Sequence, residues 1–185
     1  SSDVWAHQHL FKLDENKLPT ALSGVPPDYF SSTGQLWGNP IYRWDLLREQ
    51  GYSWWIDRME HNMLLFDIVK VDHFRGFIAY WEVPAGSKDA VNGKWVDVPY
   101  DDFFRTLKKR FYKLPMLAED LGTITPDVKE VLYRLQFMCM KVLLFAFGDD
   151  FPHNPYLPHR FDKNYIVYTG THDNDTTCGW FESLA

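Results

Sequence analysis

Three acidic side chains carry the strongest chemical signal in the sequence: Asp72, Glu119 and Asp173. Asp72 directly follows the short apolar, β-branched stretch Phe66-Asp67-Ile68-Val69-Lys70-Val71, and Glu119 directly follows Leu114 to Ala118. Asp173 stands one short turn, Thr169-Gly170-Thr171-His172, beyond Tyr165-Ile166-Val167-Tyr168. Each stretch reads as a buried strand with an acid at or near its carboxyl end. Parallel strands open onto one edge of their sheet, so three acids from three strands would meet in one cleft. Two carboxylates about 5 Å apart suffice for retaining glycoside chemistry. One attacks the anomeric carbon and becomes covalently linked to the sugar. The other protonates the departing oxygen and then deprotonates the incoming acceptor. A third acid can grip sugar hydroxyls and hold the ring in a distorted shape. Spacing along a chain does not supply these distances, so the shared cleft is an expectation.

The elements between the acids must bring them together. Tyr42 to about Phe66 follows a helical pattern broken at Gly51, with Ser53 placed to cap the second piece. Trp55, Ile56, Met59, Met63 and Phe66 then recur at helical spacing. Asp101 to Tyr112 is an amphipathic helix with Phe104, Leu107 and Phe111 on one face. Its Asp101-Asp102 start and Lys108-Lys109-Arg110 end match the helix dipole. Thr125-Pro126 marks a helix start, and Val128, Val131, Leu132 and Leu135 make the buried stripe that follows. Met140 to Phe147 is a nearly continuous apolar run and reads as a fully buried strand. Residues 76 to 100 are punctuated by Gly and Pro. Thr20 to Pro40 is a long irregular segment whose Tyr29, Phe30 and Trp37 argue for an ordered, functional loop. Four buried strands with helical material between the earlier ones predict an α/β fold with a parallel sheet and crossover helices. No linker divides the chain, which reads as one domain over residues 1–185.

Composition narrows the classes. The chain has 185 residues, 45% of them hydrophobic and 24% charged, a globular rather than a disordered balance. Aromatics reach 17%, and flat rings serve equally as core filling or as stacking platforms for sugars. The net charge is −6 and no dense Lys/Arg cluster occurs, so nucleic acid is not an expected partner. Nor is a membrane, since no apolar run approaches the length of a span. The two cysteines, Cys139 and Cys178, make no disulfide framework or zinc spacing and fit a reducing compartment. The first residues, Ser1-Ser2-Asp3-Val4-Trp5, have no signal-peptide pattern. Cytoplasm is the default location, or a plastid for a plant source.

The motifs around the acids resemble a known family. Gly24 to Ser31 (Gly-Val-Pro-Pro-Asp-Tyr-Phe-Ser) and Thr33 to Pro40 (Thr-Gly-Gln-Leu-Trp-Gly-Asn-Pro) resemble the long active-site loop of the amylomaltases, glycoside hydrolase family 77. Val71-Asp72-His73-Phe74-Arg75-Gly76-Phe77 resembles their nucleophile motif, and Ala118-Glu119-Asp120-Leu121-Gly122 their acid/base motif. Thr169 to Thr177 resembles the motif of the third acid, and the similarity runs in order over the whole chain. The resemblance implies a 4-α-glucanotransferase with Asp72 as nucleophile, Glu119 as general acid/base and Asp173 as transition-state stabiliser. It implies sugar contacts from His73 and His172, and a cleft lined by Asp28, Tyr29, Phe30, Gln35 and Trp37. The substrate would be a maltooligosaccharide or α-glucan, with no metal or organic cofactor. In a transferase such a loop must keep water from intercepting the glycosyl-enzyme while an acceptor enters. The implied fold is a portion of a (β/α)8 TIM barrel, about strands four to seven of a longer chain.

The sequence departs from the family pattern at Lys70, where an arginine is usual two residues before the nucleophile. Lysine keeps the positive charge but loses the planar, bidentate grip of a guanidinium, which predicts weakened or altered activity. Among the remaining polar residues, Asp120 reads as a structural hydrogen bonder and Asp67 as turned away from Asp72. Arg75 reads equally as a carboxylate partner or a substrate contact. His7 and His9 lack a third ligand nearby for zinc. Of Trp54 and Trp55, one is expected in the core and the other against a neighbouring helix. The same carboxylates would also serve an α-amylase-like hydrolase of α-1,4-glucans. A non-catalytic glucan-binding derivative of the fold is the third reading.

Overall fold

The computed structural model describes residues 1–28, 31–122, 124–148 and 152–184. In chain order its helices are α1 (Ser2–Ala6), α2 (Trp44–Glu49), α3 (Ser53–Leu65), α4 (Tyr100–Arg110), α5 (Pro126–Leu135) and α6 (Thr177–Glu182). The strands are β1 (Ala21–Val25), β2 (Gln35–Pro40), β3 (Val69–Val71), β4 (Ala79–Pro84), β5 (Lys94–Asp97), β6 (Met116–Ala118), β7 (Met138–Val142) and β8 (Tyr165–Tyr168). They divide between two units, Ser1–Asp67 with Arg75–Leu114, and Ile68–Phe74 with Pro115–Ala185. No described helix is long and apolar enough to cross a membrane.

The first unit is built on an antiparallel sheet of order β2-β1-β4-β5. Two of its strands arise where the sequence reads as an irregular loop, Thr20 to Pro40, and two in the Gly- and Pro-punctuated stretch 76–100. The physical reason is that pairing, not local pattern, makes them strands. Gly24 lies between Leu36 of β2 and Trp81 of β4, and a side chain there would collide with the Gln35 carbonyl. A residue that weakens a strand by itself is thus what lets these three come together. The irregular part of the loop shrinks to the stretch between β1 and β2. The helices of this unit meet through aromatic rings. Trp44 of α2 stacks parallel on Trp55 of α3 at 6.3 Å, and Phe77 lies 5.5 Å from Phe103 of α4. The buried tryptophan here is Trp44; Trp54 and Trp55 are both half-buried, Trp55 packing on α2 through Trp44 while Trp54 faces His7 and carries the Arg58 guanidinium 4.3 Å over its ring. Ser53 is the first helical residue of α3 rather than its cap; the cap position is Tyr52, in a left-handed conformation with φ 57°.

The second unit carries the predicted parallel sheet, in the order β3-β6-β7-β8. Its register runs from Val71 to Ala118, Ala118 to Cys139 and Cys139 to Tyr165. Between β6 and β7, α5 starts at Pro126 after Thr125 and buries Val128, Val131, Leu132 and Leu135, the stripe its spacing predicts. The strand at β3 is shorter than expected. It begins at Val69, leaving Phe66, Asp67 and Ile68 exposed before it, so Asp67 is no strand neighbour of Asp72. Met140 to Phe147 also divides: β7 ends at Val142, and Leu143–Phe147 turns into a 3-10 helix. Nor is the run fully buried: Ala146 is, but Phe145 and Phe147 are exposed, and a continuous hydrophobic stretch leaves backbone shape undetermined.

Candidate active site

All three acids fall in the second unit, each after the carboxyl end of a parallel strand. Asp72 follows β3 immediately, Glu119 follows β6 immediately, and Asp173 lies beyond β8 on the turn that opens at Thr169. One edge of one sheet therefore carries the three side chains, as their sequence context predicts.

Their environments differ. Asp72 is exposed, and the Lys70 ammonium pairs with its Oδ1. Lys70 and Asp72 are two residues apart along an extended strand, so they project from the same face. Glu119 is half-buried. Its Oε2 accepts the His73 N–H at 2.7 Å and its Oε1 accepts the Leu121 N–H at 2.8 Å. The backbone also ties the two acids' segments together: Glu119 N–H donates to the Val71 carbonyl and Phe74 N–H to the Glu119 carbonyl, at 2.9 and 3.0 Å. His73 reaches this position with φ 46°, a left-handed conformation that costs free energy in a non-glycine residue and aims its amide at Glu119. Burial raises the Glu119 pKa above the usual carboxylate range against the two amide hydrogen bonds, and the Asp72 charge raises it further. A half-buried carboxyl whose pKa is raised, next to a second acid, is the arrangement acid catalysis needs.

Asp173 is exposed, with the His172 Nε2 3.3 Å from its Oδ1. The turn that presents it is locked by Asn174, whose Oδ1 accepts the Thr171 N–H at 3.0 Å and the Thr171 hydroxyl at 3.1 Å. Among the loop residues of the first unit, the Asp28 carboxylate accepts the Ser31 N–H at 2.9 Å, and Trp37 Nε1 donates to Gln35 Oε1 at 3.1 Å. Tyr29 and Phe30 lie outside the described residues. Arg75 lays its guanidinium 4.0 Å over the Trp95 ring, a stacking role its sequence context does not announce. Asp120 accepts the Met140 N–H at 2.9 Å, the hydrogen-bonding role expected of it. Among the described residues, no group of three or more His, Cys, Asp or Glu is arranged to hold a metal ion.

Sequence reasoning passes over Lys141, Tyr156 and Asn154, which surround Asp120 and the loop after β7. The available signal was Lys141 itself, a lone charge inside the apolar run of residues 140–147.

The comparisons with known proteins agree with the motifs. The glycoside hydrolase family 77 model, described as 4-alpha-glucanotransferase, matches residues 1–185. The 4-alpha-glucanotransferase of Thermus thermophilus is 54% identical over 185 residues, covering 99% of this chain and 37% of that protein. The chloroplastic/amyloplastic 4-alpha-glucanotransferase of Solanum tuberosum is 46% identical over 184 residues, covering 100% of this chain and 32% of its own length. Amylomaltase from Streptococcus agalactiae, in complex with acarbose, superimposes with a TM-score of 0.93 at 42% identity, covering 100% of this chain and 37% of that one. Amylomaltase from Corynebacterium glutamicum shares the fold at a TM-score of 0.83 and 22% identity, covering 100% of this chain and 25% of that one. The chain thus spans about a third of the length of the curated relatives it matches. By family match, relatives and fold together, this chain belongs to the 4-alpha-glucanotransferases of glycoside hydrolase family 77.

Proposed function

We propose that the protein carrying this chain is a 4-α-glucanotransferase that moves α-1,4-glucan segments between maltooligosaccharides with retention of configuration. The carboxylate of Asp72 attacks the anomeric carbon of the donor while Glu119 passes its proton to the departing glucan oxygen. The glycosyl-enzyme ester then yields to an acceptor hydroxyl whose proton Glu119 takes back. Asp173 stabilises the charge that develops on the sugar ring, and His73 and His172 bind its hydroxyls. Asp28, Tyr29, Phe30, Gln35 and Trp37 line the cleft on the donor or acceptor side. The parallel sheet is a portion of a (β/α)8 barrel, about strands four to seven, and residues 1–185 are part of its catalytic domain. The acarbose bound to the Streptococcus agalactiae relative supports an oligosaccharide as the ligand.

The observation that carries this reading is Glu119: half-buried, its pKa raised by burial, one carboxylate oxygen held by the amide of His73 next to Asp72 and the other by that of Leu121. Incubating the full-length protein with maltotriose tests it. Free glucose together with oligomers longer than maltotriose is expected. Only shorter sugars would mean that water is the acceptor and the protein a hydrolase.

A further inference from the structure

Behind Glu119 an acid, a lysine and two tyrosines form a cluster with no part in bond making. β6 ends at Ala118, yet the ladder to β7 continues for one more rung through a side chain. The Cys139 N–H of β7 points to the β8 side and donates to the Asn164 carbonyl at 2.8 Å. The next amide, that of Met140, points the other way, toward β6, and donates to the Asp120 carboxylate at 2.9 Å. Asp120 thus stands in for a missing backbone carbonyl and pins the residue after Glu119 to the neighbouring strand.

A half-buried carboxylate holds that place only if its charge is compensated. Along β7, Met140 and Val142 are buried while Cys139 and Lys141 alternate onto the other face. The Lys141 ammonium sits 4.8 Å from the ring centre of Tyr156 and 4.6 Å from that of Tyr165. Two ring faces hold one cation there, an arrangement that immobilises a flexible side chain. Tyr156 is itself fixed: buried Asn154 accepts its N–H at 2.8 Å and donates to the Phe145 carbonyl at 2.7 Å.

We propose that Lys141 is a positioning residue for the acid/base: caged by Tyr156 and Tyr165 and next in the chain to the Met140 amide that holds Asp120, its ammonium steadies the residue after Glu119 and so fixes Glu119. This role rests on the reading of Glu119 as the acid/base. Tyr165 feels Asp120, Cys139 and Asp162, and burial first of all pushes its phenol up. Asp120 is raised by burial against the Met140 hydrogen bond and the Lys141 charge, with the Cys139 thiol beside it. Lys141 is lowered by burial, with Asp120 favouring and Lys129 opposing its charge. Tyr156 feels both Asp120 and Glu119, and burial first of all pushes its phenol up to about 12. Glu119 additionally faces Asp72 and Lys70 from the β3 side.

The test uses the full-length protein with three variants. Lys141→Met keeps the length of the side chain and removes the charge. Its kcat for glucan transfer is expected to fall about tenfold or more with KM little changed, since misplacing a catalytic group slows chemistry more than binding. Its alkaline limb in kcat/KM should move up, because a nearby positive charge is gone. Lys141→Arg, which keeps the charge and stacks on rings, should restore both. Asp120→Asn, which can still accept the Met140 N–H, should move the limb the opposite way. An unmoved limb in Lys141→Met, or a failure of Lys141→Arg to rescue, would overturn the proposal. Hydrogen exchange at the Met140 amide separates this from the glucan reading. Faster exchange in Lys141→Met, reversed in Lys141→Arg, supports the anchor even if the parent transfers no glucan. Unchanged exchange refutes it.

Discussion

In the first unit, charged side chains stand around an aromatic core. Arg48 and Arg105 meet Asp102, Lys12 meets Glu82, and Arg110 meets Glu60, all outside the rings of Trp44, Trp55, Phe77 and Phe103. In the second unit the proposed catalytic acids stand past the ends of parallel strands; burial leads the pKa shifts of Glu119 and Asp120 after β6 and of Cys139 and Lys141 within β7, as it does for Tyr42, Tyr52 and Tyr80 of the first unit. Topology accounts for the difference. Antiparallel strands alternate direction and scatter the residues that follow them to both edges, whereas parallel strands deliver them to one. The antiparallel unit gains stability from ring packing. The parallel unit delivers Asp72, Glu119 and Asp173 to one edge of one sheet, and that shared placement is what the proposed chemistry needs.

Substitutions should divide along the same line. The largest effect on activity is expected from Asp72→Asn in the full-length protein, a loss of roughly 10⁴-fold or more in kcat with the protein still folded, measured by release of glucose from maltotriose. Substantial residual transfer would remove Asp72 from the nucleophile's role. In the first unit the counterpart is Phe103→Ala. It should cost about 3–5 kcal/mol of stability in urea unfolding, since the ring is almost fully buried, while leaving the pH profile of the surviving enzyme unchanged. A Phe103→Ala protein of normal stability would refute the assignment of the core.

A smaller effect concerns pH. Folding raises the Glu119 pKa, so the folded chain binds that proton more tightly than the unfolded chain does. Stability from this group should therefore fall as pH rises from the unfolded pKa through the folded one. Activity that needs the protonated acid should fall over the same limb. The limb should sit above the usual carboxylate range, and it should move up in Lys70→Met because Lys70 holds the pKa down. A limb that ignores Lys70 would mean another group sets it. The smallest effect is Lys70→Arg. A guanidinium grips Asp72 in two places instead of one, so turnover should rise about two- to tenfold, with the limb unmoved because the charge is kept. No gain in kcat would show that the lysine is not a handicap here.

The legible parts of this molecule are those where one signal decides. β8 forms over Tyr165–Tyr168, though with Val167 and Tyr168 exposed rather than buried, α5 buries its four apolar positions, and the parallel order follows from the alternation of strand and helix. The strands of the first unit were not legible because their local pattern is weak. β1 reads Ala-Leu-Ser-Gly-Val and β2 reads Gln-Leu-Trp-Gly-Asn-Pro, and tertiary pairing overrides both. The three acids were visible from their places after apolar runs. The raised pKa of Glu119 was not, because it comes from burial by packing distant in sequence and prevails over the His73 amide, itself 46 residues away. Lys141 escaped notice because a hydrophobic run hides the face onto which its one charge turns.

Trapping the covalent intermediate tests the whole account most directly. The full-length protein carrying Glu119→Gln is mixed with α-maltosyl fluoride, whose leaving group needs no acid, then quenched, digested and weighed by mass spectrometry. A maltosyl ester on the peptide containing Asp72, absent when Asp72→Asn is added, is the predicted result. An adduct on any other acid, or an enzyme that turns over its substrate with no adduct at all, would contradict it.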